Sequence, residues 1–584
     1  MKRSTALLAL AFLASSSGLA AATRPEDACQ FLPAVIDVEA SGTRYRTEVA
    51  FSNPNGQAQE LSLRYTASLG SVEGAGEARF TVPAGGQLLA RDGIDFLRQL
   101  GILIPPTTPQ GGTILVCRTK PAAFPVAVTA RVTSPVETPS GEGRAGVSFG
   151  AVPADEGFVG RAYVFGLRRN AQDRSNVAIY NPGGEPVSVS LTVVSGSADG
   201  AWVVSAKETL PPYGWRQLSN PFGGAPGVEQ GYVVIERTSA EGVFGAYGVV
   251  NDNDTNDGSF IGAVGESEPR TTWMVPVAVD STAYRSELTL ANSGDADATF
   301  SLRYLDSMVR TGVPRVATID VAAHRQVILS DVFDLFRSGT PDGPVGTSAG
   351  TLLVRSVNGA IRGGFAGVRV LTRAERGRFG VFAPSFAPEA VDASQGFLWG
   401  LRADEITRSN VAILNASPVP GENVTLQLQA FDGATGLPAG VPLTVTLGSG
   451  EWAQPGSFFA ASGAARGDVR IVRTGGTAPW SAYGVVNDGS APGEGSGDGS
   501  FIPVVFLGAP EVLPPGPWGA SGVKMSVDPG GIGIELDCAH GKAQGPIYID
   551  PQGRFSAEGT WSSEGGPTPA GGFPAVKALF SGVV

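Results

Sequence analysis

The sequence predicts an all-β protein: a tandem array of four immunoglobulin-like β-sandwich modules, with an N-terminal signal peptide and a partial C-terminal β-domain. Three observations lead to this. A short strand that begins with Arg and ends with Asn occurs four times, about 120 residues apart. Each copy is followed by a segment of strict apolar/polar alternation, the mark of a strand with one buried face. The composition, 81 Gly and 43 Pro among many Val, Thr and Ser and only 16% charged residues, suits short strands joined by tight turns. At 584 residues, the chain is several times the usual domain of roughly 100–150 residues, so one core cannot serve it.

The first 22 residues read as a signal peptide. Lys2 and Arg3 form the charged start, Ala6 to Leu13 the apolar stretch, and Ala20-Ala21-Ala22 the cleavage site. Cys29 follows Glu26-Asp27-Ala28 rather than a lipoprotein signal, and no later apolar run approaches the ~20 residues of a membrane helix. The expectation is an exported protein, extracellular, periplasmic or at the cell surface, with no membrane span. A net charge of −12, more negative once Lys2 and Arg3 leave, argues against nucleic acid or anionic lipid as partner.

The modules are assigned to residues 23–150, 151–268, 269–385 and 386–510. Their anchor strands run from Arg46 to Asn53, Arg174 to Asn181, Arg285 to Asn292 and Arg408 to Asn415. The alternating strands that follow include Leu61-Ser62-Leu63-Arg64-Tyr65 and Phe300-Ser301-Leu302-Arg303-Tyr304. A further strand is expected to start at a recurring glutamine, Gln87, Gln217, Gln326 and Gln454. Asp92 and Asp331 are placed to cap brief helices ending at Leu100 and Arg337, the only helical pieces expected. Modules one and three share Leu-Arg-Tyr, whereas two and four share Ala-Tyr-Gly-Val-Val-Asn-Asp at 246–252 and 482–488, followed by Asp-Gly-Ser-Phe-Ile at 257–261 and 498–502. The alternation points to duplication of a two-module unit. Module size and turn spacing point to immunoglobulin-like sandwiches.

The Arg-Ser/Thr-Glu/Asn strands, the turns Asn53-Pro54 and Asn181-Pro182, the Leu-Arg-Tyr strand and the Asp-x-Phe-x-Leu-Phe helix resemble the immunoglobulin-like repeats of uncharacterised secreted proteins from acidobacteria and related bacteria. The resemblance spans most of residues 31–506 and implies export and architecture, not an activity. Residues 511–584 read as hairpins around Trp518, Asp537-Cys538-Ala539-His540 and Tyr548. They resemble a small β-domain that ends some secreted bacterial proteins. The closing strand, Ala578 to Val584, and an unpaired Cys538 read as part of a small barrel or sandwich that is incomplete.

Few residues offer chemistry, and no catalytic residue is assigned. There are two histidines. His324, two residues before Gln326, matches Gly85, Trp215 and Trp452 in the other modules, which marks a surface turn. His540 lies two residues from Cys538, so the two would share a strand face and form a nucleophilic pair. No oxyanion loop or further histidine accompanies them, and a structural cysteine is the plainer reading. Cys29 and Cys117, both in the first module, are expected to form a disulfide in an oxidising compartment. The acidic loop carrying Asp252, Asp254 and Asp257 is a candidate for Ca2+, although its spacing fits no EF-hand register and a hairpin tip closed by Asp-Gly competes with that role. No other cofactor is implied. Trp215 and Trp452, at matching turns, are the tryptophans assigned to ligand contact by stacking. The function expected from these features is a secreted, non-catalytic structural or interaction protein, a spacer or adhesive stalk with an unknown extracellular protein or polysaccharide as partner. The alternatives are an extracellular carbohydrate- or calcium-binding module array and an enzyme built on Cys538 and His540.

Overall fold

The computed structural model describes residues 29–583 apart from 41, 70–74, 121, 123, 139–140, 197–201, 224, 267–268, 309–312, 339–346, 389–392, 508–510, 521–522, 529, 545–546, 550–553 and 565–573. The signal peptide, its cleavage site and the expected start at Thr23 lie outside the described residues. Antiparallel strands dominate, gathered into eight sheets among the described residues.

One arrangement of strands occurs four times. In the second unit one sheet orders Trp202–Leu210, Val187–Ser195, Gln230–Arg237 and Arg161–Arg168, with Val264–Gly265 at its edge. The facing sheet orders Trp215–Ser219, Asp173–Tyr180, Gly245–Asp252 and Gly258–Gly262. The third unit (Thr272 to Pro384) and the fourth (Gln395 to Phe506) repeat this order. The first (Cys29 to Pro153) differs because its opening strand pairs with the next, Asp37 opposite Arg46, which joins its two sheets into one. The alternating strands face as the pattern predicts: Leu61, Leu63 and Tyr65 are buried, while Arg64 between them is exposed. Short helices occupy Gly93–Gln99 and Phe333–Ser338, the first capped by Asp92, which accepts from the Asp95 amide at 3.0 Å. Beyond the two expected, a single turn of helix, Phe458–Ala461, follows Ser457 in the fourth unit.

The recurring strand-end asparagine is a bracket. Asn292 is fully buried, and its Nδ2 donates to the carbonyls of Ala296, Val321 and Ala322 at 2.8, 3.0 and 3.3 Å, while its Oδ1 accepts from Gly294 N at 3.0 Å. Asn53 makes the same set of contacts, and Asn181 and Asn415 repeat it with two carbonyls in place of three. One side chain thus satisfies backbone groups of two loops. Asn292→Ala is expected to lower unfolding free energy by about 1–3 kcal/mol in urea titrations, the cost of orphaning buried carbonyls. A loss below about 0.5 kcal/mol would show that the loops hold themselves.

The register of the turn that follows corrects the glutamine series. The strand partners are Ser52 with Gln87, Tyr180 with Trp215, Ala291 with Gln326 and Leu414 with Trp452. Gln87 and Gln326 therefore correspond to Trp215 and Trp452, not to Gln217 and Gln454. The residues two places earlier, Gly85, Tyr213, His324 and Gly450, all have φ between 56° and 71°. His324 holds a left-handed turn position and corresponds to Tyr213 and Gly450 rather than to the tryptophans.

The four units close into a ring. Their last long strands, Gly141–Gly150, Gly258–Gly262, Arg378–Pro384 and Gly499–Pro503, pack in succession around one axis, and the fourth returns to the first. These are sheet-edge strands, and closure covers all four edges. The linear array expected from the repeat is replaced by this closed form. The joints alternate in kind. Between units one and two, and again between three and four, the joint is aromatic. Between two and three, and between four and one, buried ion pairs are added to aromatic contacts such as Phe165 on Phe365 and Phe124 on Phe397, and these are the charged joints.

The C-terminal sheet is a separate meander in which Gly516–Ala520, Val523–Asp528, Gly531–Leu536, Ala539–Gln544, Arg554–Ser563 and Val576–Val583 follow one another as neighbours. Met525, Ile532, Ile534 and Phe555 fill its core.

Candidate functional site: the acid pair on the ring axis

The charged joints are built from bulged strands. A register shift between Val164 and Leu167 places Gly166 at φ 74°, a conformation that favours glycine, and turns its N–H out of the ladder towards Gln326 Oε1, 2.6 Å away in the next unit. Gly400 has the same bulge at φ 74°, its N–H meeting Asp468 Oδ1 of its own unit at 3.3 Å, to which Gln87 of the first unit donates across the joint. Arg168 then pairs with Glu287 at 2.6 Å and Arg402 with Glu48 at 2.5 Å, all four side chains buried.

At the axis the two charged joints meet. Gly380 N donates to Asp257 Oδ2 and Gly146 N to Asp498 Oδ2, both at 2.6 Å. Ser259 and Ser500 donate back to the carbonyls of Gly380 and Gly146 at 3.0 Å. Arg369 Nε reaches Ser259 Oγ at 2.9 Å, with Nη1 on Asp173 at 2.9 Å. Arg131 Nε reaches Ser500 Oγ at 2.8 Å. Asp257 and Asp498 are fully buried, each shifts the other's titration, and each leaves its Oδ1 without a hydrogen-bond partner. Two neighbouring carboxyls in a dry site disfavour each other's ionisation, so the two titrate as a pair. Burial pushes both acids upward, and for Asp257 the neighbouring Asp498 adds to it. Around them the order reverses. Burial would raise Glu48 and Asp173, but the guanidiniums of Arg402, Arg131 and Arg144 on the first, and of Arg369, Arg168 and Arg378 on the second, hold both below the usual carboxylate range.

Two buried, coupled carboxyls are the arrangement of an acid–base dyad, but here both are buried in the ring. A cavity of about 290 Å³ lies along the axis, lined by all four inner strands, and neither Asp257 nor Asp498 borders it. Through their bonds to Gly380 and Gly146 the two acids join the halves of the ring, and the neighbouring Gly258, Ser259, Gly499 and Ser500 border that cavity.

The expected site residues fall elsewhere. Asp252, Asp254 and Asp257 do not converge as calcium ligands. Asp252 Oδ1 accepts from the amides of Asp254 and Thr255 at 3.1 Å each, its Oδ2 meets Arg378 at 3.2 Å, Asp254 is exposed, and Asp257 turns inward to the axis. Hydrogen bonds within a hairpin tip use the oxygens that a cation would need. Among the described residues no cluster of three or more His, Cys, Asp or Glu could hold a metal ion.

Trp215 and Trp452 do not offer ring faces to solvent. At 6% and 8% exposure they are keys of the aromatic joints, donating from Nε1 to the hydroxyls of Tyr247 and Tyr483 at 3.1 and 3.0 Å. Their backbone amides donate across the joint to Ser68 and Ser307 at 3.2 and 2.9 Å. Burial of an amphipathic ring with its N–H satisfied makes them joint residues, not stacking platforms. Cys29 and Cys117 face each other on paired strands and are disulfide-bonded. Cys538 does not share a strand face with His540. It occupies the exposed two-residue turn after Gly531–Leu536, while His540 Nδ1 lies 2.7 Å from Glu564.

Sequence reasoning singled out Asp-Gly-Ser-Phe-Ile at 257 and 498 as a signature but read its Asp as a turn residue. Glu48 and Glu287 were seen only as part of the anchor strand, and Arg131 and Arg369 carried no signal, because Arg402, Arg168, Ser500 and Ser259, which they meet, lie in other units. An Arg at equal places in the first and third units, Arg131 and Arg369, was the available cue.

No protein-family model matches the chain, and no curated protein matches it. Among solved structures it aligns with the native conformation of E. coli alpha-2-macroglobulin at 10% identity and a TM-score of 0.12, over 95% of this chain and 40% of that one. The chain thus spans less than half of that protein, and a likeness this slight carries no argument about fold or function.

Proposed function

We propose that the protein is an exported, non-catalytic interaction protein in which four immunoglobulin-like sandwiches form one rigid body that presents its outer surfaces and C-terminal sheet to a protein or polysaccharide partner. The observation that carries this reading is the return of the fourth unit onto the first. Three joints would leave a bent string, whereas Arg402 on Glu48, Arg144 on Asp488 at 3.1 Å and Gly146 on Asp498 fix the position of every unit. The buried acid pair favours a mechanical over a catalytic role. The Cys29–Cys117 disulfide is compatible with export to an oxidising compartment. Among the described residues no helix is long and apolar enough to cross a membrane.

Small-angle scattering of the exported chain is expected to give a radius of gyration of about 25 Å, as for one compact body, against about 40 Å or more for four domains laid end to end. The larger value would restore the spacer. Co-sedimentation with the producing cell's envelopes and with insoluble polysaccharides is expected to show saturable retention. Failure to bind any of them would overturn the interaction role.

A further inference from the structure

The aromatic joint between the first and second units is not filled. It encloses a cavity of about 310 Å³, at the lower end of the range for small-molecule sites. Ile36, Val132, Val147 and Phe149 of the first unit form one wall, Val249 and Phe260 of the second unit the opposite one, with Trp215 and Tyr247 between them. Phe149 lies 5.8 Å from Phe260 and 6.0 Å from Tyr247, ring centre to ring centre. Rings and branched side chains from both units thus give the chamber a wide apolar surface.

Its polar lining is one-sided in charge. Arg174 lines the cavity with Tyr45, Asn176, Asn251 and Asn256, and among the described residues no Asp or Glu borders it. This stands out in a chain with 54 acidic residues and a net charge of −12. The Arg174 guanidinium donates to the carbonyl oxygen of Asp252 at 3.0 Å and to Asn256 Oδ1 at 2.7 Å, both uncharged acceptors. The arginines of the charged joints, in contrast, each face a carboxylate.

The matching joint between the third and fourth units supplies the comparison. Gly146 and Gly380 make the same bond to an axial Asp, so Ala145 and Phe379 correspond. Where the first unit has a methyl group the third has a buried phenyl ring. Arg408, in the place of Arg174, is held by three backbone carbonyls, those of Asp488, Gly489 and Ala491, at 2.9–3.2 Å. One joint of the pair is thus packed with an aromatic ring, and the other keeps a chamber with a cation at its edge.

We infer that this chamber is a binding site for a small amphipathic anion, a carboxylate carried on an aliphatic or aromatic body. The body lies between Val147 and Val249, and the carboxylate meets Arg174 and the Tyr45 hydroxyl. An apolar chamber favours the body by removing its surface from water, at roughly 25 cal/mol per Å², and a guanidinium is the donor group best matched to a carboxylate. The inference does not rest on the proposed role of the ring as an interaction body.

Calorimetric titration of the full exported chain with decanoate, and with 1-decanol as the uncharged probe, tests it. Decanoate is expected to bind at one site, with 1-decanol at least about tenfold weaker through loss of the charged contact. Ala145→Phe copies the packing of the other joint, so it is expected to keep the wild-type melting temperature and to weaken decanoate at least about tenfold. Arg174→Gln, which retains a donor for Asn256, is expected to weaken decanoate and leave 1-decanol unchanged. No saturable binding of decanoate by the wild type, or equal binding by a folded Ala145→Phe variant, would overturn the site. Equal affinity for decanoate and 1-decanol would overturn the assignment of an anionic ligand.

Discussion

Arg369→Met lowers the unfolding free energy by about 3–5 kcal/mol, the cost of removing one partner from a buried charge cluster. Arg369 is 1% exposed and ties three elements of two units together: Ser259 through Nε, Asp173 through Nη1, and the field at the axial acid pair. Methionine fills much of the same volume, so the loss reports charge rather than a void. Without the guanidinium, Asp173 retains Arg378 at 2.9 Å but stays buried, and Asp257 loses the neighbouring cation that eases its ionisation. The measurement is a guanidinium chloride titration of wild type and variant, read as a shift in midpoint at constant slope. Arg161→Met is the control. Arg161 meets Glu266 and Glu236 at a partly exposed site, where such pairs contribute about 0–1 kcal/mol. A loss under about 1 kcal/mol at Arg369 would mean that water or a shifted Arg378 replaces it, and that the axis is not a fastening.

The second large effect is a dependence on pH that runs against the usual acid lability. Asp468, fully buried at the joint of units four and one, is pushed up to about 7 by burial, although Ser52, Gln87 and Gly400 donate to it. A carboxyl raised in the folded state favours its protonated form. Its contribution is therefore complete below the unfolded value near 3.8 and is lost as pH rises through about 7. The axial pair shifts in the same direction. Glu48 and Asp173 are shifted downward, so their contribution is lost only as pH falls through and below the ordinary carboxylate range. Between pH 5 and 7 the raised acids prevail, and stability is expected to fall by about 1–1.4 kcal/mol per pH unit for each such group. Asp468→Asn keeps the accepting Oδ1 and removes the titration. It should flatten part of this slope and stabilise the ring at pH 8 by about 2–4 kcal/mol. A wild-type profile that is flat from pH 5 to 7, or a variant with an unchanged slope, would show that the joint opens to water before its acids ionise.

Much of the architecture was legible because it is local. The strand-end asparagines could be found because each bracket closes within about 30 residues, inside one unit. The two-unit alternation was visible in the Ala-Tyr-Gly-Val-Val signature, whose tyrosines Tyr247 and Tyr483 hold the tryptophan N–H groups. The glutamine series was misread because the left-handed turn accepts Gly, Tyr or His, so nothing in residue type marks the shift of two. The ring could not be read at all. Arg402 and Glu48 lie 354 positions apart, and Asp257 meets Asp498 only once both charged joints have closed. Periodicity reports which face of a strand is buried and is silent about what buries it. The loop acids illustrate this: three carboxylates close in sequence resemble a cation site until one is seen to serve a distant unit.

Asp257 and Asp498 are the same residue of the repeated half, set face to face. That is the geometry of a twofold symmetric dimer, where whatever stands on the axis meets its own copy. A carboxyl is tolerated there because one of the two can stay protonated. Carrying both halves on one chain makes their association independent of dilution, and it frees each half to change alone. Ala145 and Phe379 already differ, leaving one half hollow where the other is solid, an asymmetry that a dimer of identical chains could not encode.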